Sequence, residues 1–498
     1  VRRCFDRWSG LAADTFAHGR LANPPHPLWH HFESFHILQQ PTYASKYPPG
    51  QGLLLALGQV LGGAPIVGAW IGAALLVVAV GWALRAWVPA RWALGGALLT
   101  ATHATTVQWG QSFWGGAVAA TGGALVIGAL GRSMAHRRMA DAGTPTHNGW
   151  WLGLGLSLMA VSRPYEGAVF GLASLAVVWR FHWRAVLGPV LLCVAATVGW
   201  LGYYNWRVTG NGWRLPYAAY QEQYGSAPVF LWQHRLSPRH YAHGTFAEFY
   251  AGNEEQADYR QQQSLGGFLG GAADKVRRLV AAVLPSRIWY GDGGIRRWAA
   301  VGVFVAGLAL VWSRRTWRLL IVGLIFLAGL LVEMWCFPHY AAPALVLVVA
   351  AAVEALRRIG SFRWRGRRVG RLPARMVVLL CLLLPVVVAR TPVLLDHVWA
   401  AERERVETNL MQSGRHLVFV RYGAGHSPHA EWVYNRADLS RAPVVWARET
   451  DPARNRQLIE SFPDRQVWLL EPDASEVRLS PYAAGQDLIL GAERPAGQ

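Results

Sequence analysis

Charge is scarce in this sequence: 15% of its 498 residues are Asp, Glu, Lys or Arg, against 53% hydrophobic ones. A chain so poor in charge and so rich in long apolar runs is not an ordinary soluble domain; it reads as a polytopic membrane protein. Lysine is nearly missing. The basic residues number 48, yet the only lysines are Lys46 and Lys275, and a coding bias toward arginine accounts for that. There are 4 cysteines, and Cys193, Cys336 and Cys381 lie in apolar runs, which excludes a disulfide framework. No internal repeat suggests an inverted-repeat transporter. No nucleic-acid module is present either, although the net charge is +19 and the pI is near 10.4.

What is present begins with a polar, aromatic, His-rich stretch over residues 1–51, without an apolar span or a signal-peptide pattern. Its carboxylates are Asp6, Asp14 and Glu33, and the segment from Ala12 to Phe16 predicts a short amphipathic helix ending near Gly19. His30, His31, Glu33 and His36 form a candidate ligand set for a divalent cation, in a spacing that matches no standard metal motif. The alternative is aromatic loop packing with surface histidines. The stretch closes on Tyr43-Ala44-Ser45-Lys46-Tyr47-Pro48-Pro49-Gly50, a stiff bend because two consecutive prolines fix φ and lack donors. Lys46 therefore sits just above the first apolar run. There it either places a fixed charge on a lipid phosphate or simply snorkels at the boundary.

The apolar lengths predict about ten spans over residues 52–392. They fall near Ala64–Ala86, Arg91–Trp109, Phe113–Gly131, Gly149–Ser162, Glu166–Trp179, Arg184–Tyr204, Trp298–Trp312, Trp317–Trp335, Tyr340–Leu356 and Met376–Val388. Gly52–Gly62 is too short to cross. Arginines cluster in alternate turns (Arg85 with Arg91, Arg132 to Arg138, Arg180 with Arg184, Arg314 to Arg318, Arg357 to Arg375), and these turns are expected in the cytoplasm. The opposite face then collects the unusual polar groups. They are Trp114 beside Gln108 and Gln111, the turn Ser162-Arg163-Pro164-Tyr165-Glu166, and Glu333 with Phe337-Pro338-His339-Tyr340. An Arg and a Glu three apart at membrane depth are costly to keep there, and the guanidinium fork matches phosphate oxygens. The structural alternative is an ion pair closing a helical hairpin.

Residues 205–297 read as a large outer loop dense in aromatics, serving as a lid or stacking on sugar rings. From residue 393 the composition changes to a small α/β domain, with strands expected at His416–Val420, Pro443–Trp446 and Gln466–Leu470 and a helix at Asn455–Phe462. It contains no phosphate loop, nucleophile elbow or metal motif. The expected fold class is thus an all-α polytopic membrane domain with a C-terminal α/β domain on the outer face.

Four segments together carry a family resemblance: Ala12-Ala13-Asp14-Thr15-Phe16-Ala17-His18-Gly19, Gln40 to Pro49, Ser162-Arg163-Pro164-Tyr165-Glu166-Gly167, and Pro338-His339-Tyr340-Ala341-Ala342-Pro343. In them the chain resembles the bacterial polyprenyl-phosphate-dependent glycosyltransferases of the C-type multi-span fold, relatives of protein O-mannosyltransferases and lipid A aminoarabinose transferases. The resemblance implies an inverting sugar transfer from a polyprenyl-phosphate donor, within the membrane lipid, to a glycan, lipid or protein hydroxyl. It implies an active site on the periplasmic face of the bacterial inner membrane. Lys46 and Arg163, with Glu166, are then the donor-phosphate residues, and Glu33, Tyr43, Trp114, His339 and Tyr340 line the substrate pocket. The family carries an acidic pair, typically Asp-Glu, just after its first span and before the segment matching Asp14, and the resemblance implies that the general base comes from it. Here Phe5-Asp6 occupies that place and the preceding span is missing from the sequence, so a truncated or altered start is expected. Asp6 is the first candidate base and Asp14 the second. The rival expectations are a transporter or flippase for a lipid-linked sugar and a membrane scaffold of the same fold that has lost its base.

Overall fold

The computed structural model of the chain describes residues 7–136, 147–178, 183–234, 236, 239–282, 316–376, 378–379, 383 and 398–482. The short helix expected around Asp14 is α1 (Arg7–Ala17). A two-stranded ribbon follows, β1 (Ile37–Leu38) antiparallel to β2 (Ala44–Ser45). Pro49 then opens α2 (Pro49–Gly62), in the first turn, where its missing N–H costs nothing.

The helical body runs through α3 (Pro65–Leu84), α4 (Ala90–Thr102), α5 (Ala104–Trp109), α6 (Ala117–His136), α7 (His147–Ala160), α8 (Pro164–Val178) and α9 (Trp183–Thr209). At its centre stands α6, packed against α3, α7, α8 and the helix Leu345–Ser361. Lipid is as apolar as leucine, so close van der Waals packing between small residues does the joining. A side chain at Gly123 shows how close: a Cβ there would stand 2.1 Å from the carbonyl oxygen of Pro343. Gly123 thereby seats the 3-10 turn Pro338–Ala344, which carries His339 and Tyr340, directly on α6.

Among the described residues, four helices are long and apolar enough to cross a membrane: Pro65–Leu84, Ala117–Met134, Val186–Thr209 and Pro338–Ser361. Trp317–Leu331 is a shorter apolar helix. The described parts of α7 and α8, 14 and 15 residues long, cover most of the spans expected at Gly149–Ser162 and Glu166–Trp179, and each adjoins residues outside the described ones. The span expected over Arg91–Trp109 is two helices, because His103 is extended and its ring accepts the Thr105 N–H to cap α5. The expected span Trp298–Trp312 lies outside the described residues, as does most of Met376–Val388.

The described residues of the large outer loop expected at 205–297 are mostly helical. Helix α9 continues to Thr209, and α10 (Pro216–Tyr224), α11 (Gly244–Phe246), α12 (Asn253–Gln261) and α13 (Leu265–Ala282) follow. Aromatic burial explains the order: Tyr204, Tyr220, Tyr224, Phe246 and Tyr250 form one buried cluster with Phe35 and Leu38 of the first segment. The second lysine, Lys275 on α13, is buried and donates to the Leu331 and Glu333 carbonyls at 3.0 and 2.6 Å. It therefore satisfies carbonyls left open at the end of α14 (Trp317–Leu331).

After α15 (Leu345–Ser361) and α16 (Val398–Leu410) comes a four-stranded sheet in the order β4-β3-β5-β6. Strand β3 (His416–Val420) lies parallel to β4 (Val444–Arg448) on one side and to β5 (Gln466–Glu471) on the other. Helix α17 (Pro452–Glu460) links β4 to β5, its first turn capped by Asp451 accepting from the Arg454 N–H. Strand β6 (Arg478–Pro481) is antiparallel to β5. Alternate β3 residues feed two cores: Val418 and Val420 pack with Trp432 and Trp446, while Leu417 and Phe419 pack with Leu458 and with Phe32 of the first segment. Both faces of β3 are covered, which is why it reads as a continuous apolar run.

Candidate functional site

The site is built where three chain segments are pinned together. The Gly50 N–H donates to the Val161 carbonyl at 2.8 Å, and a Cβ at Gly50 would stand 2.9 Å from that oxygen. This contact fixes the Tyr47-Pro48 bend against the α7–α8 turn that bears Arg163. The seating of Pro338–Ala344 on α6 adds the third wall. A cleft results, lined by Tyr47, Pro48, Gln51, Trp114, Arg163 and His339, with Ser9 of α1 at its edge.

Arg163 is the cation of this cleft. Its Nη1 donates to Glu166 Oε1 at 3.4 Å, and the guanidinium lies 4.6 Å over the Tyr340 ring. Of its five donors, that is the single hydrogen bond found among the described residues. Glu166, 7% exposed at its side chain, orients the fork and leaves the remaining donors for an incoming anion. The apolar wall is aromatic: Trp114 meets His339 edge-on at 4.7 Å, and His339 meets Tyr340 edge-on at 4.9 Å. Arg163, Glu166, Trp114, His339 and Tyr340, drawn from segments up to 226 positions apart, thus share one place.

Lys46 stands just behind this wall. It is buried, with its ammonium 4.4 Å over Tyr220, 4.9 Å over Tyr217 and 5.5 Å over Tyr47. Such a cage holds a cation by the negative faces of its rings. The Lys46 N–H donates to the His36 carbonyl, and the His36 N–H donates to the Tyr220 hydroxyl at 2.8 Å. His36 has a φ of 66°, and burial, then the charges of Lys46 and His429, push its imidazole well below the ordinary histidine range.

The remaining predicted residues gather elsewhere, at the C-terminal domain. Asp14 Oδ2 accepts from the Ala437 N–H at 2.9 Å, Oδ1 accepts from Gln59 at 3.3 Å, and His18 lies 3.4 Å away. The Tyr43 hydroxyl donates to the Asn435 carbonyl at 3.1 Å. Glu33 accepts from the Tyr224 hydroxyl at 2.9 Å and faces His243 at 3.1 Å. Burial raises the Glu33 carboxyl, but the hydrogen bond and charge of His243, aided by Tyr224, bring it below its usual value. Of the four candidate metal ligands only His30 and Glu33 come together, at 3.7 Å; His31 donates to the Arg448 carbonyl and His36 faces the lysine cage. Among the described residues no three His, Cys, Asp or Glu side chains gather as a ligand set. Asp6 lies outside the described residues.

One group escaped the sequence entirely. Arg448 at the end of β4, 2% exposed, donates to the Glu33 carbonyl at 2.7 Å and to Thr245 Oγ1 at 2.9 Å. It also pairs with the buried Glu431. It ties the first segment, the α10–α12 region and the sheet into one joint.

No family model and no curated protein matches this chain. Solved structures do. ArnT from Cupriavidus metallidurans in the apo state superposes with a TM-score of 0.53 at 13% identity, covering 95% of this chain and 88% of ArnT. The chain has the fold of ArnT. ArnT bound to undecaprenyl phosphate also gives 0.53, at 14% identity over 93% of this chain and 87% of ArnT. Archaeal oligosaccharyltransferase AglB from Archaeoglobus fulgidus matches with a TM-score of 0.47 and 11% identity, covering 95% of this chain and 66% of AglB. The C-type multi-span glycosyltransferase fold implied by the sequence resemblance is therefore the fold observed, in a membrane protein.

Proposed function

We propose that this protein transfers a sugar from a polyprenyl-phosphate donor to an acceptor hydroxyl, with inversion, on the periplasmic face of the bacterial inner membrane. The observation that carries the reading is Arg163: a guanidinium oriented by Glu166 at the edge of an aromatic cleft, with donors to spare, in a chain with the ArnT fold. Its fork suits the phosphate that leaves with the lipid, and a fixed cation there lowers the cost of the charge developing as the sugar bond breaks. Lys46, one residue before Tyr47 of the cleft wall, adds a second positive charge from within its tyrosine cage. Trp114, His339 and Tyr340 offer ring faces to the sugar.

The acceptor hydroxyl must lose a proton as it attacks, so a carboxylate of the first segment serves as general base. Asp6 takes this role, three residues before Ser9 in the sequence, and Ser9 borders the cleft. Asp14 is held by the Ala437 N–H and lies nearer the C-terminal domain. The test is turnover by the purified full chain with a panel of polyprenyl-phosphate pentoses and hexoses. Release of free polyprenyl phosphate, lost in Asp6→Asn by about a hundredfold or more with donor binding kept, is the expected result. Full turnover in Asp6→Asn removes Asp6 from the mechanism, and no sugar release from any donor contradicts the activity.

A further inference from the structure

A second cleft lies at the other end of α1, between that helix and the C-terminal domain. It contains about 770 Å³ of space, part of it open to solvent, and is lined by Arg20, Arg436, Arg441, His18, Asp14 and Asp438. Three guanidinium groups thus face two carboxylates. Both carboxylates are already occupied by donors of the fold. Asp14 accepts from the Ala437 N–H and from Gln59. Asp438 Oδ1 accepts from the N–H and hydroxyl of Ser440 at 3.0 and 2.6 Å, and its Oδ2 lies 3.6 Å from Arg441 Nε.

The arginines are less well served. Among the described residues neither Arg20 nor Arg436 has a carboxylate within ion-pair distance. Arg20 Nε is sealed from solvent with no hydrogen-bond partner among the described residues, a state that costs free energy unless something accepts from it. Arg436 and Arg441 are exposed around the mouth of the cleft. Three planar forks around one opening suit an anion with several oxygens, because each fork can take two of them.

We propose that this cleft is a phosphate-binding site, distinct from the Arg163 cleft and independent of the sugar-transfer reading. Its ligand is a phosphate carried either by a soluble anionic molecule or by a lipid headgroup. The two clefts lie along the same helix: Ser9 borders one and Asp14 and His18 border the other. Five residues from Ser9 to Asp14 advance about 7.5 Å along α1 at about 1.5 Å per residue. A molecule anchored by its phosphate in the second cleft therefore reaches toward the first.

The test is calorimetric titration of inorganic pyrophosphate into the full chain, held in nanodiscs of phosphatidylcholine. Two classes of site are expected. Arg436→Gln with Arg441→Gln should weaken one class about tenfold or more, and Arg163→Ala should affect only the other. Arg436→Glu, at an exposed side chain with no ion pair to lose among the described residues, should repeat the loss without moving the unfolding midpoint. Nanodiscs containing phosphatidylglycerol then separate the sources. Weaker pyrophosphate binding at this class in wild type only assigns the site to lipid headgroups, and unchanged binding assigns it to soluble phosphates. Absence of a class sensitive to Arg436 and Arg441 overturns the proposal. That result leaves the Arg163 cleft untouched, whereas loss of the Arg163-sensitive class alone would count against the sugar-transfer reading.

Discussion

Replacing Arg163 by alanine is expected to weaken binding of undecaprenyl phosphate by roughly 10- to 100-fold, since a charge-assisted hydrogen bond contributes about 1.5–3 kcal/mol. The substitution also strands Glu166, 5% exposed as a residue, without its cation. A buried carboxylate left alone costs stability, so the alanine variant alone confounds binding with folding. The pair Arg163→Met with Glu166→Gln removes both charges at similar volume. It should recover the unfolding midpoint and still fail to bind the lipid phosphate. Arg163→Lys should fail as well, because an ammonium presents a point charge where the guanidinium presents a fork. Lys46→Ala should weaken binding less than Arg163→Ala, because its ammonium is enclosed by three tyrosines. Equilibrium binding of a fluorescent undecaprenyl phosphate checks all four. Wild-type affinity in the double variant would separate Arg163 from the donor.

The second large effect is expected at Arg448. Its guanidinium is buried with Glu431 and hydrogen-bonded to the Glu33 carbonyl and Thr245. Phe246 and Tyr422 each lie 5.0 Å from it. Arg448→Met leaves Glu431 charged and buried, a change that typically costs about 3–5 kcal/mol. The C-terminal domain should then separate from the first segment, and trypsin should cleave between the helical body and the sheet. Arg448→Met combined with Glu431→Leu should recover much of the loss, since no unpaired charge remains. Arg448→Lys should not, because one ammonium cannot span three partners. Limited proteolysis and thermal unfolding measure both. An undisturbed joint in Arg448→Met would show that the apolar contacts of Phe32 with Phe419 and Leu458 hold the domain unaided.

Legibility in the sequence followed the range of the interactions. The Arg163–Glu166 pair was visible because the two residues sit three apart around a proline, on one side of a helix start. Strand β3 was visible because both its faces are apolar. The Tyr47-Pro48 bend was visible because proline restricts φ whatever surrounds it. Arg448 was not visible. Its partner Glu33 lies 415 positions away and the contact is to a backbone carbonyl, which no side-chain pattern encodes. The same holds for Asp14, whose carboxylate meets the N–H of Ala437, 423 positions on.

The helices within the 205–297 connection are hard to read from the sequence for a related reason. Helices α10 and α12 have 9 residues each and no long apolar stripe, so neither length nor hydropathy announces them. What orders them is tertiary: tyrosines of α10 and of the turn after α11 close over Phe35 and Leu38. The tyrosine cage around Lys46 comes from the same closure, with Tyr217 and Tyr220 supplied from α10. Propensity decides little where packing against a distant segment decides the fold.

The central claim is that the Arg163 cleft holds the phosphate of a polyprenyl donor. A cryo-electron microscopy structure of the full chain with undecaprenyl phosphate, in nanodiscs, tests it most directly. The phosphate is predicted to lie within hydrogen-bond distance of the Arg163 guanidinium, between Tyr47-Pro48 and the Trp114–His339 wall, with the prenyl chain leaving toward lipid. A phosphate seated elsewhere, with Arg163 still paired only to Glu166, would contradict the account.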